Sequence, residues 1–263
     1  MRFSILTPTL NSATTIIDCI TSINNQLYNN LEQIIVDGKS SDNTLEIIKS
    51  MPNRVSTISS EPDEGLYDAM NKGIGLATGD IIGILNSDDL YIDNKVLQDV
   101  ADLMTETGTE SLFADLYYVY PDDTNRIFRY WKTGSFIPGS FSKGWHPPHP
   151  TFFVKRSVYE HYGLFDTSCK ISADFELMLR FLEKHRISTC YLPRPILKMR
   201  QGGQSSVSIK NIIIGNINCY KAFKKNGIRV SPFYFLYRAA PKMLQMLNPP
   251  KSVTKSVTRD EKA

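Results

Sequence analysis

The run Asn86-Ser87-Asp88-Asp89 puts a carboxamide and two carboxylates into one turn directly after an apolar stretch. Hard cations such as Mg2+ and Mn2+ take oxygen ligands, and one or two carboxylates suffice when phosphates and water complete the shell. The run therefore suits a divalent ion beside a phosphorylated ligand. Its bland alternative is capping of the next helix, a role for which Asp93 and Asn94 stand closer. Thr7-Pro8-Thr9, Asp37-Gly38 and Glu61-Pro62-Asp63 are three further short polar segments, each following a β-branched run. Taken singly, each is as readily turn chemistry as a site. Together they are harder to dismiss. Trp145, His146 and His149 lie in a Pro-rich stretch, where an indole can stack on the apolar face of a sugar and an imidazole can donate to a hydroxyl or phosphate. Packing within the loop accounts for Trp145 equally well, and His161 and His185 read as structural or solvated.

These residues need elements to hold them. Short apolar runs at Phe3 to Thr7, Gln33 to Asp37, Val55 to Ser59 and Ile81 to Leu85 alternate with helical patterns. Ser12 to Asn24 spaces Ile16, Ile17, Ile20 and Ile23 helically, Asp42 stands where it could cap a second helix, and Tyr67 to Ala77 reads as a third. This alternation predicts βαβ units and a mainly parallel sheet, an α/β fold in which ligands bind beyond the carboxyl ends of the strands. All four polar segments fall there. Gly73-Ile74-Gly75-Leu76-Ala77-Thr78-Gly79 follows a helix and precedes a strand, the reverse of a dinucleotide-binding order, which weakens an oxidoreductase reading. Leu112 to Tyr120 and Ile127 to Trp131 predict aromatic strands, residues 134–150 a long ordered loop, Asp174 to Glu183 a helix, and Leu192 to Met199 a strand. Two helices and a disordered end from Ser252 complete the expectation.

The chain has 263 residues, 41% of them hydrophobic and 22% charged, enough for one α/β core with a tail. A net charge of +3 conceals an asymmetry, since residues 201–263 carry 11 Lys+Arg against 2 Asp+Glu, leaving 19 basic and 25 acidic residues before them. The acidic front argues against nucleic-acid binding. The basic tail suits an anionic membrane surface or plain solvation. Four separated cysteines without a CxxC pair or a signal-peptide pattern suggest free thiols in a reducing cytoplasm. The apolar stretches fall well short of the roughly 20 residues that span a bilayer.

In order along the chain, Ser4-Ile5-Leu6-Thr7-Pro8-Thr9, Ile35-Val36-Asp37-Gly38-Lys39-Ser40-Ser41-Asp42, Ser60-Glu61-Pro62-Asp63-Glu64-Gly65-Leu66-Tyr67 through Gly73, and Leu85-Asn86-Ser87-Asp88-Asp89 form one pattern. His149-Pro150-Thr151, Gly163-Leu164-Phe165-Asp166 and Ala173-Asp174-Phe175-Glu176-Leu177 continue it. This series resembles the family 2 inverting glycosyltransferases of GT-A fold, of the bacterial polysaccharide-assembly type, over roughly residues 1 to 205. The resemblance implies a GT-A catalytic domain over 1–205, with a nucleotide-sugar half to about 110 and an acceptor half over 111–205, and a basic helical tail over 206–263. It also implies a nucleotide-diphosphate-sugar donor, UDP-linked by default, and a glycan or lipid-linked glycan acceptor.

For individual residues, the resemblance places Thr7, Pro8, Thr9 and Asp37 around the nucleoside, and Asp63, Asn71 and Lys72 beneath the donor. The family's D-x-D element falls on Asn86-Ser87-Asp88, where Asn replaces the first acid. That leaves Asp88 as the ligand for Mn2+ or Mg2+, with Asn86, Ser87 and Asp89 as sugar or donor contacts. Asp174 takes the place of the acceptor-activating base at the start of its helix, where the helix dipole favours a carboxylate. An N-terminal cap is its other reading. Glu176 ranks second, and His149 fits the acceptor side better than His146. Arg200, followed by Gly202 and Gly203, resembles a segment that closes over the diphosphate. Phe233 to Tyr237 with Arg238, Lys242 and Lys251 suit peripheral contact with the inner face of the membrane, or packing on the core.

Two other functions fit the architecture. A sugar-nucleotide nucleotidyltransferase needs a Gly-rich basic loop after the first strand, which Asn11-Ser12-Ala13-Thr14 does not supply. A non-catalytic nucleotide-sugar module predicts donor binding with product formation indifferent to Asp174→Asn.

Overall fold

In the computed structural model, residues 1–202 and 209–231, with Tyr234, Phe235 and Tyr237, are described. The first half runs β1 (Phe3–Thr9), α1 (Ile16–Asn24), β2 (Leu31–Asp37), α2 (Thr44–Ser50), β3 (Val55–Ser60), α3 (Leu66–Leu76) and β4 (Ile81–Ile84). It continues through β5 (Leu90–Tyr91) and α4 (Val96–Thr107) to the long hairpin β6 (Ser111–Tyr120) and β7 (Asp123–Trp131). Then come β8 (Phe153–Lys155), α5 (Arg156–Tyr162), α6 (Ala173–Leu179), β9 (Thr189–Arg200) and α7 (Ile209–Lys225).

All seven residues of β1 are buried, as befits a central parallel strand covered on both faces, while β3 alternates half-buried and exposed residues at the sheet edge. The sheet order is β3-β2-β1-β4-β8-β6-β9-β5, with β7 on β6. The parallel pattern predicted from the sequence holds for β3-β2-β1-β4 and again for β6 with β9. β8, β7 and β5 pair antiparallel, so the second half is mixed. Gly83 permits the join between the halves, because a Cβ there would lie 2.5 Å from the Phe153 ring of β8.

Several boundaries differ from the expectation. β1 continues to Thr9, drawing Thr7 and Thr9 into the sheet. α1 begins at Ile16, because Ser12 O accepts Thr15 N and Ile16 N in a preceding turn. Asp42 stands one residue outside the α2 cap, where it accepts Thr44 N and Ala13 N. α6 gives way at Arg180 to a π-helical turn over Arg180–Lys184. Residues 134–150 are ordered by Glu183, whose carboxylate receives Gly139 N at 2.9 Å and Phe141 N at 3.3 Å.

α7 packs against α6 as part of the main core: Cys219, Ala222 and Phe223 are buried, and Asn226 Nδ2 donates to Glu176. Tyr234 is fully buried against Phe223, whereas Phe235 and Tyr237 are exposed. The aromatic run of the tail is thus partly core. Phe233, Leu236, Arg238, Lys242, Lys251 and the end from Ser252 lie outside the described residues, as do Gly203, Gln204 and Ser205. Among the described residues, no helix is long and apolar enough to cross a membrane, and the four cysteines form no disulfide.

Candidate functional site

The carboxyl ends of β1, β2, β3 and β4 bring the four polar segments to one edge. Gly38 N donates to Thr9 O, Glu61 N donates to Asp37 O, and the Ser12 and Ser87 hydroxyls lie 2.8 Å apart. Within this edge, Asp37 is not a free acceptor. Its carboxylate is fully buried and receives Ser40 N, Ser40 Oγ and Ser60 Oγ, so it shapes the loop. Thr7 is likewise buried, receiving Gln33 Nε2, and Thr9 donates back to Thr7 O; Pro8 is buried between them. Asp63 comes closer to the open edge. One of its oxygens receives Gly65 N, and the other lies where a Cβ on Gly38 would be, 2.3 Å away.

The loop Asn11-Ser12-Ala13 turns its amides inward, to Ser40 Oγ, Thr44 Oγ1 and Asp42 Oδ2. No cradle for a triphosphate forms there.

At the turn after β4, Asn86 Nδ2 donates to Asp89 Oδ2 at 3.0 Å, and Asp89 N closes the turn on Asn86 O. Asp89 is fully buried. Its Oδ1, and the Oδ1 of Asn86, are buried without a hydrogen-bond partner. Burial, then the neighbouring Asp88 charge, pushes the Asp89 carboxyl well above the usual range, against the pull of Asn86 and Arg200. Burial also raises Asp88, with its own backbone amide and Arg200 opposing. Two adjacent carboxylates that Arg200 does not bring back to the usual range, with orphaned oxygens beside them, are a donor set that a divalent cation would satisfy. Among the described residues no cluster of three or more His, Cys, Asp or Glu forms a closed metal cage, so such an ion would depend on ligand oxygens.

Arg200 spans this turn from the end of β9. It is buried, donates to Asp88 O at 2.5 Å and pairs with Asp18 of α1. A cavity of about 470 Å3 opens beside it, bounded by Thr15 and Asp18 of α1 and the Pro121–Thr124 tip of the β6–β7 hairpin. Arg200 therefore steadies the turn, with both ends of its guanidinium already engaged.

Asp174 enters from the other side. Ser172, with φ +69°, turns the chain into α6, and Asp174 Oδ1 accepts the Tyr67 hydroxyl at 3.0 Å. Burial and the Asp174 charge hold the Tyr67 phenol far above its usual range, so it stays a donor. Tyr67 stacks on Phe165 at 5.6 Å, and His149 meets the same ring edge-on at 5.3 Å. His149 is buried; desolvation lowers its pKa and the Asp174 charge only partly opposes this, which favours a neutral imidazole.

Four expected contacts find other partners. Asn71 clamps the Phe165 backbone in both directions, Nδ2 to O at 3.0 Å and Oδ1 from N at 2.9 Å. Its amide thus fastens α3 to the loop at Phe165. Lys72 is held by Glu61, Asp68 and Pro62 O. Glu176 points inward to Arg180 and Asn226 at 2% exposure, a structural ion pair. Trp145 donates to Thr133 O at 2.7 Å and packs on Phe113 and Phe141, leaving its ring inside the loop.

Sequence reasoning missed Tyr118, Arg129 and Trp131. Cross-strand register brings them together on β6 and β7. Burial, chiefly, raises the Tyr118 phenol, and the charges of both Asp89 and Asp174 reach it. Tyr118 thus lies within electrostatic reach of both the Asp89 turn and Asp174. The only sequence signal was the aromatic density of the two strands.

The geometry has parallels among known proteins. Residues 4–171 match the family profile described as Glycosyl transferase family 2. A PGL/p-HBAD biosynthesis glycosyltransferase of Mycobacterium tuberculosis is 29% identical over 210 residues, covering 79% of this chain and 80% of the relative. Glycosyltransferase GlyG of Streptococcus pneumoniae is 31% identical over 134 residues, 50% of this chain and 44% of its own. Among solved structures, S. aureus TarS 1-349 in complex with UDP-GlcNAc superposes with a TM-score of 0.64 at 17% identity, over 86% of this chain and 65% of that one. Mannosyltransferase PcManGT from Pyrobaculum calidifontis, in complex with GDP-Man and Mn2+, gives 0.64 at 20% identity, over 91% and 68%. At such identities the two structures speak to the fold, which they share with this chain.

Proposed function

The chain belongs to glycosyl transferase family 2, and from that premise we propose that it moves a sugar from a nucleotide-diphosphate-sugar to an acceptor hydroxyl with inversion. The observation that carries this reading is the bond from Tyr67 on α3, in the donor half, to Asp174 on α6, in the acceptor half. It ties an acceptor-side carboxylate to the helix that follows the Asp63 loop of the strand-end edge. The nucleotide-sugar is UDP-linked by default, and TarS, solved with UDP-GlcNAc, supports that choice of probe.

Asp174 takes the proton of the acceptor hydroxyl, and the freed oxygen attacks the anomeric carbon from the face opposite the diphosphate. Tyr67 aims the accepting oxygen. Neutral His149 and the Phe165 ring close the back of this side and keep water from it. Asp89 and Asn86 close the turn that presents Asp88. Asp88, with Asp89 behind it, would hold Mn2+ or Mg2+, the former being the ion in the PcManGT complex. Such an ion supplies charge neutralisation for the departing nucleoside diphosphate. The acceptor is a glycan or lipid-linked glycan in cell-surface polysaccharide synthesis, O-antigen or capsule. The basic segment 206–263 holds the protein peripherally against the inner, anionic face of the membrane, with the rest in the cytoplasm.

A panel of nucleotide-sugars, with and without Mn2+, tests this by calorimetric binding and donor hydrolysis on the wild type and Asp88→Ala. At least one donor is expected to bind and turn over with Mn2+, and Asp88→Ala is expected to lose turnover and the enhancement of binding by Mn2+. Product with retained anomeric configuration would sink the inverting mechanism.

A further inference from the structure

Arg129 is anomalous among the half-buried and buried guanidiniums of the sheet. Arg194 and Arg200 each pair with a carboxylate, as does Arg180 on its helix, whereas Arg129 has no acidic partner among the described residues. Its Nε is buried and unbonded, as are those of Arg194 and Arg200, whose terminal nitrogens nevertheless reach carboxylates. Two aromatic rings hold the group: it lies 4.3 Å from the Tyr118 centroid, directly across the β6–β7 register, and 5.3 Å from that of Trp131. Tyr118 and Trp131 are stacked within 7° of parallel, so the guanidinium rests against a rigid wall.

That wall connects to both halves of the site. Tyr118 pairs in register with Met199, adjacent to the Arg200 that donates to Asp88 O. Trp131 meets His146 at 5.1 Å, and His146 meets Phe175, the neighbour of Asp174, at 5.5 Å. A fixed cation with an unmet donor, placed between an acidic turn and an acidic base, is suited to an incoming anion.

We propose that Arg129 is a binding residue for a phosphoryl group of a bound reactant, either the donor diphosphate or a phosphate carried by the acceptor. The proposal rests on the glycosyl-transfer reading of the site. The planar fork receives two phosphoryl oxygens while Tyr118 and Trp131 fix its plane, which a lysine reproduces in charge but not in geometry.

Arg129→Gln and Arg129→Lys, in the full chain, separate the possibilities. UDP and GDP are titrated into each protein with Mn2+, and inorganic phosphate is then titrated into protein saturated with the nucleotide that binds. If the donor diphosphate is the source, Arg129→Gln weakens nucleotide binding about tenfold or more and Arg129→Lys recovers part of it. If the acceptor phosphate is the source, nucleotide affinity stays at the wild-type value while phosphate binding to the saturated protein is lost in Arg129→Gln and partly restored in Arg129→Lys. Unchanged affinity for both probes in either variant, at wild-type melting temperature, overturns the proposal. So does a loss of melting temperature in Arg129→Gln accompanied by wild-type affinities in Arg129→Lys, because the residue is then structural. A wild type that binds neither nucleotide overturns the donor reading itself, and this inference with it.

Discussion

Asp88 and Asp89 are neighbours in sequence, yet one faces the open turn and the other is wholly buried with an oxygen left over. Asp88→Ala is expected to reduce Mn2+-dependent nucleotide affinity on the order of tenfold, measured by calorimetry, and to leave metal-free affinity unaltered. Tyr67→Phe removes a hydrogen bond that aims Asp174, so kcat for transfer should fall about tenfold while donor KM holds. Asp88 and Asp174 were legible in the sequence because their segments recur in a fixed order with other motifs. The partners of Asn71, Lys72, Glu176 and Trp145 were not legible because sequence gives a side chain's chemistry and not its contacts. Asn71 meets a backbone 94 residues away, a contact that neither periodicity nor composition encodes. Arg129 and Tyr118 were missed because only the hairpin register sets them opposite one another.

At the scale of elements, the joints are as informative as the strands. Asn71 fastens α3 to the loop at Phe165, and Asn71→Ala, which leaves a backbone carbonyl and amide without their partner, should cost about 1–3 kcal/mol in denaturant unfolding. The loop before α6 is fastened to α7 by Asp166, which accepts Lys225 Nζ at 2.6 Å. That bond and those from Ser168 draw the Asp166 carboxyl down to about 2. Folding thus strengthens this acid, so its contribution is present above the ordinary Asp range, near pH 4, and is lost as pH falls through about 2. The melting temperatures of the wild type and Asp166→Asn should differ at pH 6 and converge near pH 2; a difference that persists at pH 2 would contradict the assignment. The pair is partly exposed, so the effect is small. The parallel strands were readable from their β-branched runs. The π-helical turn after α6 was not, since its apolar pattern continues through Phe181 and Leu182 without a breaker.

On the scale of the whole molecule, an acidic front and a basic end share one chain, and α7 belongs to the core that carries Asp174. Exposed Ile213 and Ile217 on α7, with Lys210, Lys221 and Lys224, continue the basic surface toward exposed Phe235 and Tyr237. In flotation with vesicles containing anionic lipid, the full chain should bind at low salt and release as NaCl rises, and should ignore neutral vesicles. The α/β class and the edge where ligands gather were legible from the alternation of elements; the mixed second half was not, because short strands such as β5 and β8 have only two and three residues to signal direction. The central claim is that Asp174 and the Asp88 turn form one sugar-transferring centre. Its most direct test is the release of nucleoside diphosphate from the donor selected by the panel, compared between the wild type and Asp174→Asn at matched donor occupancy. The account predicts a fall of about 100- to 10,000-fold in kcat with nucleotide affinity unchanged. Equal turnover in the two proteins would contradict it.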